Sequence, residues 1–232
     1  PNAGNKSNRY RQELINRIEK IPNSTLYLTE RPNHAKEIIR QLIPNQPEKI
    51  IAIGGDGTVN EIGNALKGTG IPMGILPLGS GNGLARHLNI PLSFKKSLKK
   101  ALDGNAIDID VLSWNDRPFF CTAGIGFDAQ VAALFHQGQG RGFINYIKST
   151  LIALTKFKGT EIALNNAPKQ FYFSITIANA NQFGNNAFIS PFSNLQDALF
   201  EVVKIKKGNL FQIAQLGISL FLKNIQKHQL VE

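Results

Sequence analysis

The chain has 232 residues, a formal net charge of +10 and 42% hydrophobic residues, so it is long enough to bury a sizeable core. The basic balance suits an anionic partner such as a membrane leaflet, whereas nucleic acid is not expected, because the lysines lack the interleaved aromatic residues of a single-strand platform. With no long apolar run and a single cysteine, Cys121, we expect a cytoplasmic protein that has no spanning helix and no internal disulfide.

The start of the chain predicts a turn, two helices and a strand. Residues 1–5 are rich in turn formers and precede a helical pattern. Residues 25–29 alternate as a strand does, and residues 35–43 are typical of a helix that ends before Pro44. We also expect the true start of the protein to lie before Pro1, because the chain opens without methionine.

A glycine-rich loop follows the next predicted strand. Residues 50–53 form an apolar run, and residues 54–57 read Gly-Gly-Asp-Gly before helix-forming sequence; we call residues 54–57 the first glycine loop. Such glycines permit a positive φ and a close ligand approach, and a helix start attracts anions, so the loop predicts a phosphate site. Thr58 and Glu61 have capping-box spacing, and a plain capped turn is the alternative. That alternative does not explain Asp56, whose carboxylate can reach Mg²⁺ or an acceptor hydroxyl.

The string at residues 54–61, Gly-Gly-Asp-Gly-Thr-Val-Asn-Glu, resembles the signature of the diacylglycerol kinase catalytic-domain family, which includes bacterial lipid kinases. The first four residues are shared with NAD kinases and phosphofructokinases, whereas Asn60 and Glu61 favour the lipid kinases. The resemblance implies a Rossmann-like α/β N-terminal domain of the NAD kinase or diacylglycerol kinase type, followed by a C-terminal β-sandwich domain with helices. It implies nucleotide contacts at Asn2, Gly4, Thr29, Gly54, Gly55, Asp56, Gly57, Thr58, Val59, Asn60 and Ser80. A plain turn at residues 1–5 and a strand-end cap at Thr29 are the alternatives there.

A second glycine loop, residues 77–86, follows a predicted strand at residues 71–76. Ligands bind beyond the carboxyl ends of parallel strands, so both loops should face one crevice. The segment resembles the family's second nucleotide motif, which places Ser80 near the nucleotide. We expect Arg86 and His87 on a solvated helix face, and phosphate contact is the alternative.

Beyond this loop, the pattern changes from strand–helix alternation to strands. A lysine-rich helix ends at Gly104; its lysines either attract anionic lipid or form a plain solvated face. We place a domain boundary after residue 106, with residues 1–106 binding nucleotide and residues 107–232 forming the β-sandwich that carries the lipid. Strands are predicted at 107–112, 117–122, 161–164, 171–178 and 199–206, and helices at 129–135, 143–157 and 210–227.

Two further segments resemble functional parts of the family. Residues 123–129 resemble a segment at the interdomain cleft, which implies that Asp128 joins Asp56 as a catalytic residue; a helix cap is the alternative. Residues 189–199 resemble a turn that holds a structural Mg²⁺ in bacterial members. The implied metal ligands are Asn194, Asp197 and Leu199, all through oxygen, although Ala198 replaces the usual glycine and a plain β-turn is the alternative.

The resemblance predicts an ATP-dependent lipid kinase that transfers the γ-phosphoryl group to a hydroxyl of a diacylglycerol-like or sphingoid lipid. ATP and Mg²⁺ are the predicted cofactors, and we expect peripheral membrane association and a homodimer. The helix at residues 210–227 is allowed either in a core or against a membrane. The family's late catalytic acid is expected to lie beyond this chain, since Glu232 is not in that motif. The alternatives are a kinase for a soluble substrate such as NAD and a non-catalytic lipid or nucleotide binder.

Overall fold

The computed structural model describes residues 8–137, 150, 152–154, 157, 159–163 and 168–232. Its internal contacts divide the chain into two compact units. The first contains Pro91–Ala106 together with the described residues up to Ser80, and the second contains Gly81–Ile90 and Ile107–Glu232. The roles predicted for the two halves of the chain, nucleotide binding and lipid binding, stay predictions.

The first unit is built on a short parallel sheet. Strand β1 (Ile50–Gly54) pairs with β2 (Met73–Pro77), and the register joins Gly54 to Pro77 at the last position of each strand. Both strands therefore end at the same edge of the sheet, and a helix, α3 (Asp56–Leu66), connects them. The other helices of this unit are α1 (Asn8–Ile18), α2 (His34–Leu42) and α5 (Phe94–Asp103).

The core of the first unit lies where these helices cover the sheet. Ala52 and Leu76 are fully buried on the strands, and Val59 and Ile62 are buried on α3. Helix α5 packs so closely on β2 that a Cβ at Gly74 would lie 2.8 Å from the Cβ of Ala101. This packing holds α5 against β2, the strand from which the second glycine loop begins.

The second unit contains a four-stranded antiparallel sheet around β7 (Gln170–Ala178). Strands β5 (Thr122–Gly126) and β6 (Thr160–Ile162) pair with different halves of β7, and β8 (Glu201–Lys206) runs along both halves, so it occupies the other edge. A separate hairpin joins β3 (Leu112–Trp114) to β4 (Arg117–Phe119). The helices of this unit include α4 (Gly83–His87), α6 (Phe127–Gln137) and α7 (Leu210–Phe221), and Ile225–Lys227 forms a short 3₁₀ helix.

Aromatic and aliphatic side chains form the core of the second unit. The ring of Phe173 on β7 stacks on that of Phe127 at 4.4 Å between centroids, and the ring of Phe157 meets it edge-on at 5.5 Å. Ile205 on β8 and Leu216 on α7 complete the same cluster. The described residues therefore show a four-stranded antiparallel sheet and a separate hairpin with packed helices, and the β-sandwich stays a prediction.

The structure corrects several predicted elements. The strand predicted at 117–122 ends at Phe119, and a separate strand, β5, begins at Thr122. Residues 25–29 are not a strand, because the sheet of this unit pairs β1 with β2 and offers residues 25–29 no partner strand. The strand predicted at 107–112 begins only at Leu112, since the N–H of Asp110 donates to the carbonyl of Leu195 in a loop. The helix predicted at 210–227 ends at Phe221.

Most of the helix predicted at 143–157 lies outside the described residues, of which Thr150 and residues 152–154 are helical. Among the described residues, no helix combines the length and the apolar character needed to cross a membrane.

Candidate functional site

The first glycine loop lies between the end of β1 and the first turn of α3. Helix α3 begins at Asp56 with Gly55 as its N-cap, so the capping box predicted for Thr58 is wrong. Asp56 itself starts the helix because a carboxylate is favourable at the positive end of the helix dipole. The N–H of Val59 donates to the carbonyl of Gly55 at 3.1 Å, which is the first hydrogen bond of the helix. The N–H groups of Asp56, Gly57 and Thr58 come before this bond, as the first N–H groups of every α-helix do.

The glycines of this loop are explained by close approach and not by a positive φ, which none of the three adopts. A Cβ at Gly54 would lie 2.7 Å from the Oγ1 of Thr58, and one at Gly55 would lie 3.0 Å from the Cα of Gly79. A Cβ at Gly57 would meet no atom within 4 Å. The surface at Gly57 is thus open, and that is where a phosphate can approach the helix start.

The start of the second glycine loop lies directly beside the first. The N–H of Leu78 donates to the carbonyl of Gly54 at 2.8 Å, which extends the pairing of β1 and β2 by one residue. Gly79 then packs against Gly55, and the half-buried Ser80 follows. Two glycine-rich turns at adjacent carboxyl ends of parallel strands are the arrangement that binds nucleotides in open α/β sheets.

The rest of the second glycine loop belongs to the second unit, where α4 is tied to the loop at residues 181–186. The Arg86 guanidinium donates to the carbonyl of Gly81 and to Oδ1 of Asn186, both at 3.0 Å. The Nδ1 of His87 accepts the N–H of Asn181 at 2.9 Å. The prediction of a plain solvated face for Arg86 and His87 is therefore wrong, because both side chains fasten this loop.

Asp128 lies in the first turn of α6 and folds back over the sheet. Its Oδ2 accepts the hydroxyl of Thr176 at 3.0 Å, and its Oδ1 accepts the N–H of Ala129 at 2.8 Å. Gly124 pairs with Thr176 across β5 and β7, and a Cβ at Gly124 would overlap the Asp128 carboxylate. The helix begins at Phe127, so Asp128 is not its N-cap and instead belongs to a polar cluster on the sheet.

Burial raises the pKa of the Asp128 carboxyl, because water stabilises the charged form better than the protein interior does. The bonds from Ala129 and Thr176 favour the charged form but do not cancel this effect. The Ser174 hydroxyl acts in the same direction, although it makes no hydrogen bond of good geometry to any described residue. A carboxyl that titrates closer to neutrality is suited to proton exchange.

The raised pKa predicts a pH-dependent cost to stability. The folded state favours protonated Asp128, so this group contributes to the free energy of unfolding at low pH. That contribution is fully present below the unfolded pKa of about 3.9 and is lost as the pH rises through the folded pKa. Urea unfolding between these values should show wild-type stability falling with pH relative to Asp128→Asn, which does not titrate. Parallel stability curves for the two proteins would contradict the raised pKa.

Asn194 and Asp197, the side chains of the predicted metal turn, make hydrogen bonds to the backbone of that turn. Asn194 Oδ1 accepts the N–H of Gln196 at 3.1 Å, and Asp197 Oδ1 accepts the N–H of Leu199 at 3.0 Å. The remaining predicted ligand, Leu199, is 64% exposed. No cluster of three or more His, Cys, Asp or Glu suited to a metal occurs within the described parts of the chain.

A second carboxylate reaches the same turn. Asp110 Oδ2 accepts the N–H of Ala198 at 2.8 Å, and Ala198 has a φ of 57°, in the left-handed region that favours glycine. The turn therefore forms although alanine replaces glycine. Asp110, Asp197 and Asn194 can each offer a side-chain oxygen, and oxygen atoms are the ligands that Mg²⁺ prefers. The chemical type of these side chains therefore fits the metal.

The roles predicted for the remaining nucleotide-binding residues stay predictions. Asn2 and Gly4 lie outside the described residues. Thr29 is half-buried, and its side chain forms no hydrogen bond within the described chain, so it is not a strand-end cap. Val59 is buried in the core of its unit and Asn60 is half-buried on α3. Sequence reasoning missed Ser174 and Thr176, which lie on β7 opposite Gly126 and Gly124 and carry no local signal.

Residues 1–114 match the family described as the diacylglycerol kinase catalytic domain, so the resemblance predicted from the first glycine loop is confirmed. "Probable lipid kinase YegS-like" of Citrobacter koseri is 31% identical over 167 residues, which cover 67% of this chain and 55% of that relative. "Probable lipid kinase YegS" of Escherichia fergusonii is 32% identical over 165 residues, which cover 66% and 54%. The chain spans about half the length of these curated relatives.

Solved structures share the fold. A diacylglycerol kinase from Bacillus anthracis aligns with a TM-score of 0.69 and 18% identity over 93% of this chain and 76% of its own. A second Bacillus anthracis chain aligns with a TM-score of 0.72 and 18% identity, covering 100% of this chain and 80% of its own. At this level of identity the likeness concerns the fold alone.

Proposed function

We propose that this chain carries the nucleotide site of an ATP-dependent lipid kinase, which transfers the γ-phosphoryl group of ATP to a lipid hydroxyl. The observation that carries the proposal is the pairing of two glycine loops, Gly55 against Gly79, at the adjacent carboxyl ends of β1 and β2. The match of residues 1–114 and the lipid kinase names of the relatives support the same class of reaction.

The first glycine loop is proposed to hold the phosphates of ATP. The N–H groups at the start of α3 donate to phosphate oxygens, and the open space at Gly57 lets the nucleotide reach them. Ser80, at the end of the adjoining segment, supplies a hydroxyl near the nucleotide. These groups position the γ-phosphorus and neutralise its charge, which is most of what phosphoryl transfer requires.

Asp56 is proposed as the principal catalytic residue. It is exposed in the first turn of α3, one residue ahead of the open surface at Gly57. From there its carboxylate either holds the Mg²⁺ that accompanies ATP or polarises the acceptor hydroxyl. In the reaction a new bond forms between the lipid oxygen and the γ-phosphorus, the bond to ADP breaks, and the hydroxyl proton is lost to a base. Asp128, with its raised pKa, assists by exchanging a proton.

The acceptor is proposed to be a lipid presented at a membrane surface. Four exposed lysines on α5 favour an anionic leaflet: Lys95, Lys96, Lys99 and Lys100. The formal charge of +10 acts in the same direction. To test the acceptor class, the full-length protein is incubated with γ-labelled ATP and, separately, diacylglycerol, sphingosine and NAD. Label in a lipid product supports the proposal, label in NADP assigns a soluble-substrate kinase, and ATP binding without label in any acceptor assigns a binder.

The turn at residues 194–199 is proposed to hold a structural Mg²⁺ through Asn194, Asp197 and the carbonyl of Leu199. When bound, the ion neutralises the turn's carboxylates and stiffens the loop. Its presence is tested by adding MgCl₂ during thermal unfolding: the melting temperature should rise for the wild-type protein and not for Asp197→Asn. Equal responses of the two proteins would remove the ion from this turn.

The strain at Ala198 gives a separate stability prediction. Its left-handed conformation costs about 1–2 kcal/mol for a residue with a Cβ, of which glycine's greater unfolded-state freedom offsets about 0.4–1 kcal/mol. Ala198→Gly should therefore raise the free energy of unfolding by roughly 0.5–1 kcal/mol, measured by urea denaturation without added metal. A loss of stability of the same size would show that Ala198 is not strained.

A further inference from the structure

Helix α7 presents an apolar surface to solvent. The outer face of α7 comprises Leu210, Phe211, Ala214, Ile218 and Leu222, the last of which is the C-cap of the helix. The four large side chains of this face are between 60% and 75% exposed, whereas Leu216 and Ser219 on the opposite side are buried. The exposed residues recur at helical spacing and so form one continuous face, which is the pattern of a helix that lies on an apolar boundary.

The charged residues that flank α7 in the sequence are all basic. No acidic residue occurs in the sequence between Glu201 and Glu232, and the helix itself is uncharged. Lysines stand at both of its ends. Lys207 lies over the ring of Phe171 at 5.5 Å, and Lys223 lies over the ring of Phe188 at 4.3 Å. These contacts hold two exposed ammonium groups beside the ends of the outer face, which favours an anionic partner for this face.

We infer that the outer face of α7 docks on the surface of an anionic bilayer. A second copy of the chain fits less well, because a symmetric contact through this face would bring lysines of like charge together. The helix has 12 residues, a length of about 18 Å against roughly 30 Å for the hydrocarbon core, so it lies in the plane of the interface. The inference rests on the proposed action on a membrane lipid and assigns the surface that brings the protein there.

The test measures vesicle binding and not phosphoryl transfer, so its failure is distinct from failure of the proposed function. The full-length protein is sedimented with vesicles of phosphatidylcholine mixed with phosphatidylglycerol. The double variant F211Q/I218Q should reduce the partition coefficient at least about tenfold, because two large side chains no longer enter the acyl boundary. The matched control F192Q/I107Q changes side chains that are 79% and 56% exposed and do not belong to α7, and it should alter partitioning less than about twofold.

A double variant of the two lysines provides a second, independent test of the inference. K207Q/K223Q should weaken binding to the mixed vesicles roughly 5-fold for each lysine, leave binding to pure phosphatidylcholine unchanged, and lose its effect at high salt. Equal effects of F211Q/I218Q and F192Q/I107Q would overturn the inference. It would also be overturned if F211Q/I218Q converted a dimer to a monomer while vesicle binding stayed the same, since a second copy would then cover the face.

Discussion

Replacing Asp56 by asparagine should lower the rate of phosphoryl transfer about 10²–10⁴-fold, or roughly 3–5 kcal/mol of transition-state stabilisation, while ATP affinity changes little. Asparagine keeps the shape and hydrogen-bonding capacity of the side chain but removes the charge that holds Mg²⁺ or polarises the acceptor. The rate is measured at saturating ATP with the lipid acceptor found in the screen, and the affinity is measured by calorimetry.

A purely structural role for Asp56 predicts a different result. An acidic residue in the first turn of a helix contributes about 0.3–1 kcal/mol through the helix dipole, so the variant would then lose a few degrees of melting temperature and keep its rate. Asp103→Asn is the matched control, because Asp103 is an exposed aspartate on α5 of the same unit. A stable, ATP-binding and inactive Asp56→Asn protein, beside an active Asp103→Asn protein, supports catalysis.

Gly55→Val should weaken ATP binding at least roughly 100-fold, equivalent to about 2.7 kcal/mol. The added Cβ would lie 3.0 Å from the Cα of Gly79 and the two methyl groups would extend further, so the backbone of one glycine loop must move away from the other. Calorimetric titration with ATP measures the loss, and circular dichroism checks that the variant remains folded. Unchanged affinity would show that the adjacency of the loops is not needed for binding.

The Gly57→Ala variant tests nucleotide binding without disturbing the folded structure. Its Cβ would meet no protein atom within 4 Å, and Gly57 has no positive φ, so the variant should unfold at the wild-type temperature or slightly above it. If the nucleotide occupies that space, ATP affinity should nevertheless fall. Full affinity in Gly57→Ala would place the phosphates elsewhere on the loop.

The strands and glycine loops of the first unit could be predicted because local signals coincide there. An apolar run, a cluster of glycines and helix-forming sequence change within a few residues at 50–61, and the structure places β1 and α3 accordingly. The start of α3 was misplaced because Thr58 and Asp56 are both acceptable near a helix start, and the dipole favours the earlier residue.

Other features depend on contacts between distant residues and carry no local signal. Residues 107–112 alternate like a strand, yet Asp110 bonds to the turn at residues 195–198, which the sequence alone does not bring near. The carboxylate of Asp128 needs Gly124 beneath it, and that need arises from the register of β5 with β7. The outer face of α7 was undetermined because helical periodicity shows that a face is apolar but not what covers it.

The most direct test of the central claim is a single-turnover experiment with excess full-length protein, γ-labelled ATP and vesicles that contain the lipid acceptor. The account predicts that label passes from ATP to the lipid in one exponential phase, and that this phase is lost in Asp56→Asn although the variant still binds ATP. Label that stays on ATP, or that passes to the lipid equally fast in Asp56→Asn, would contradict it.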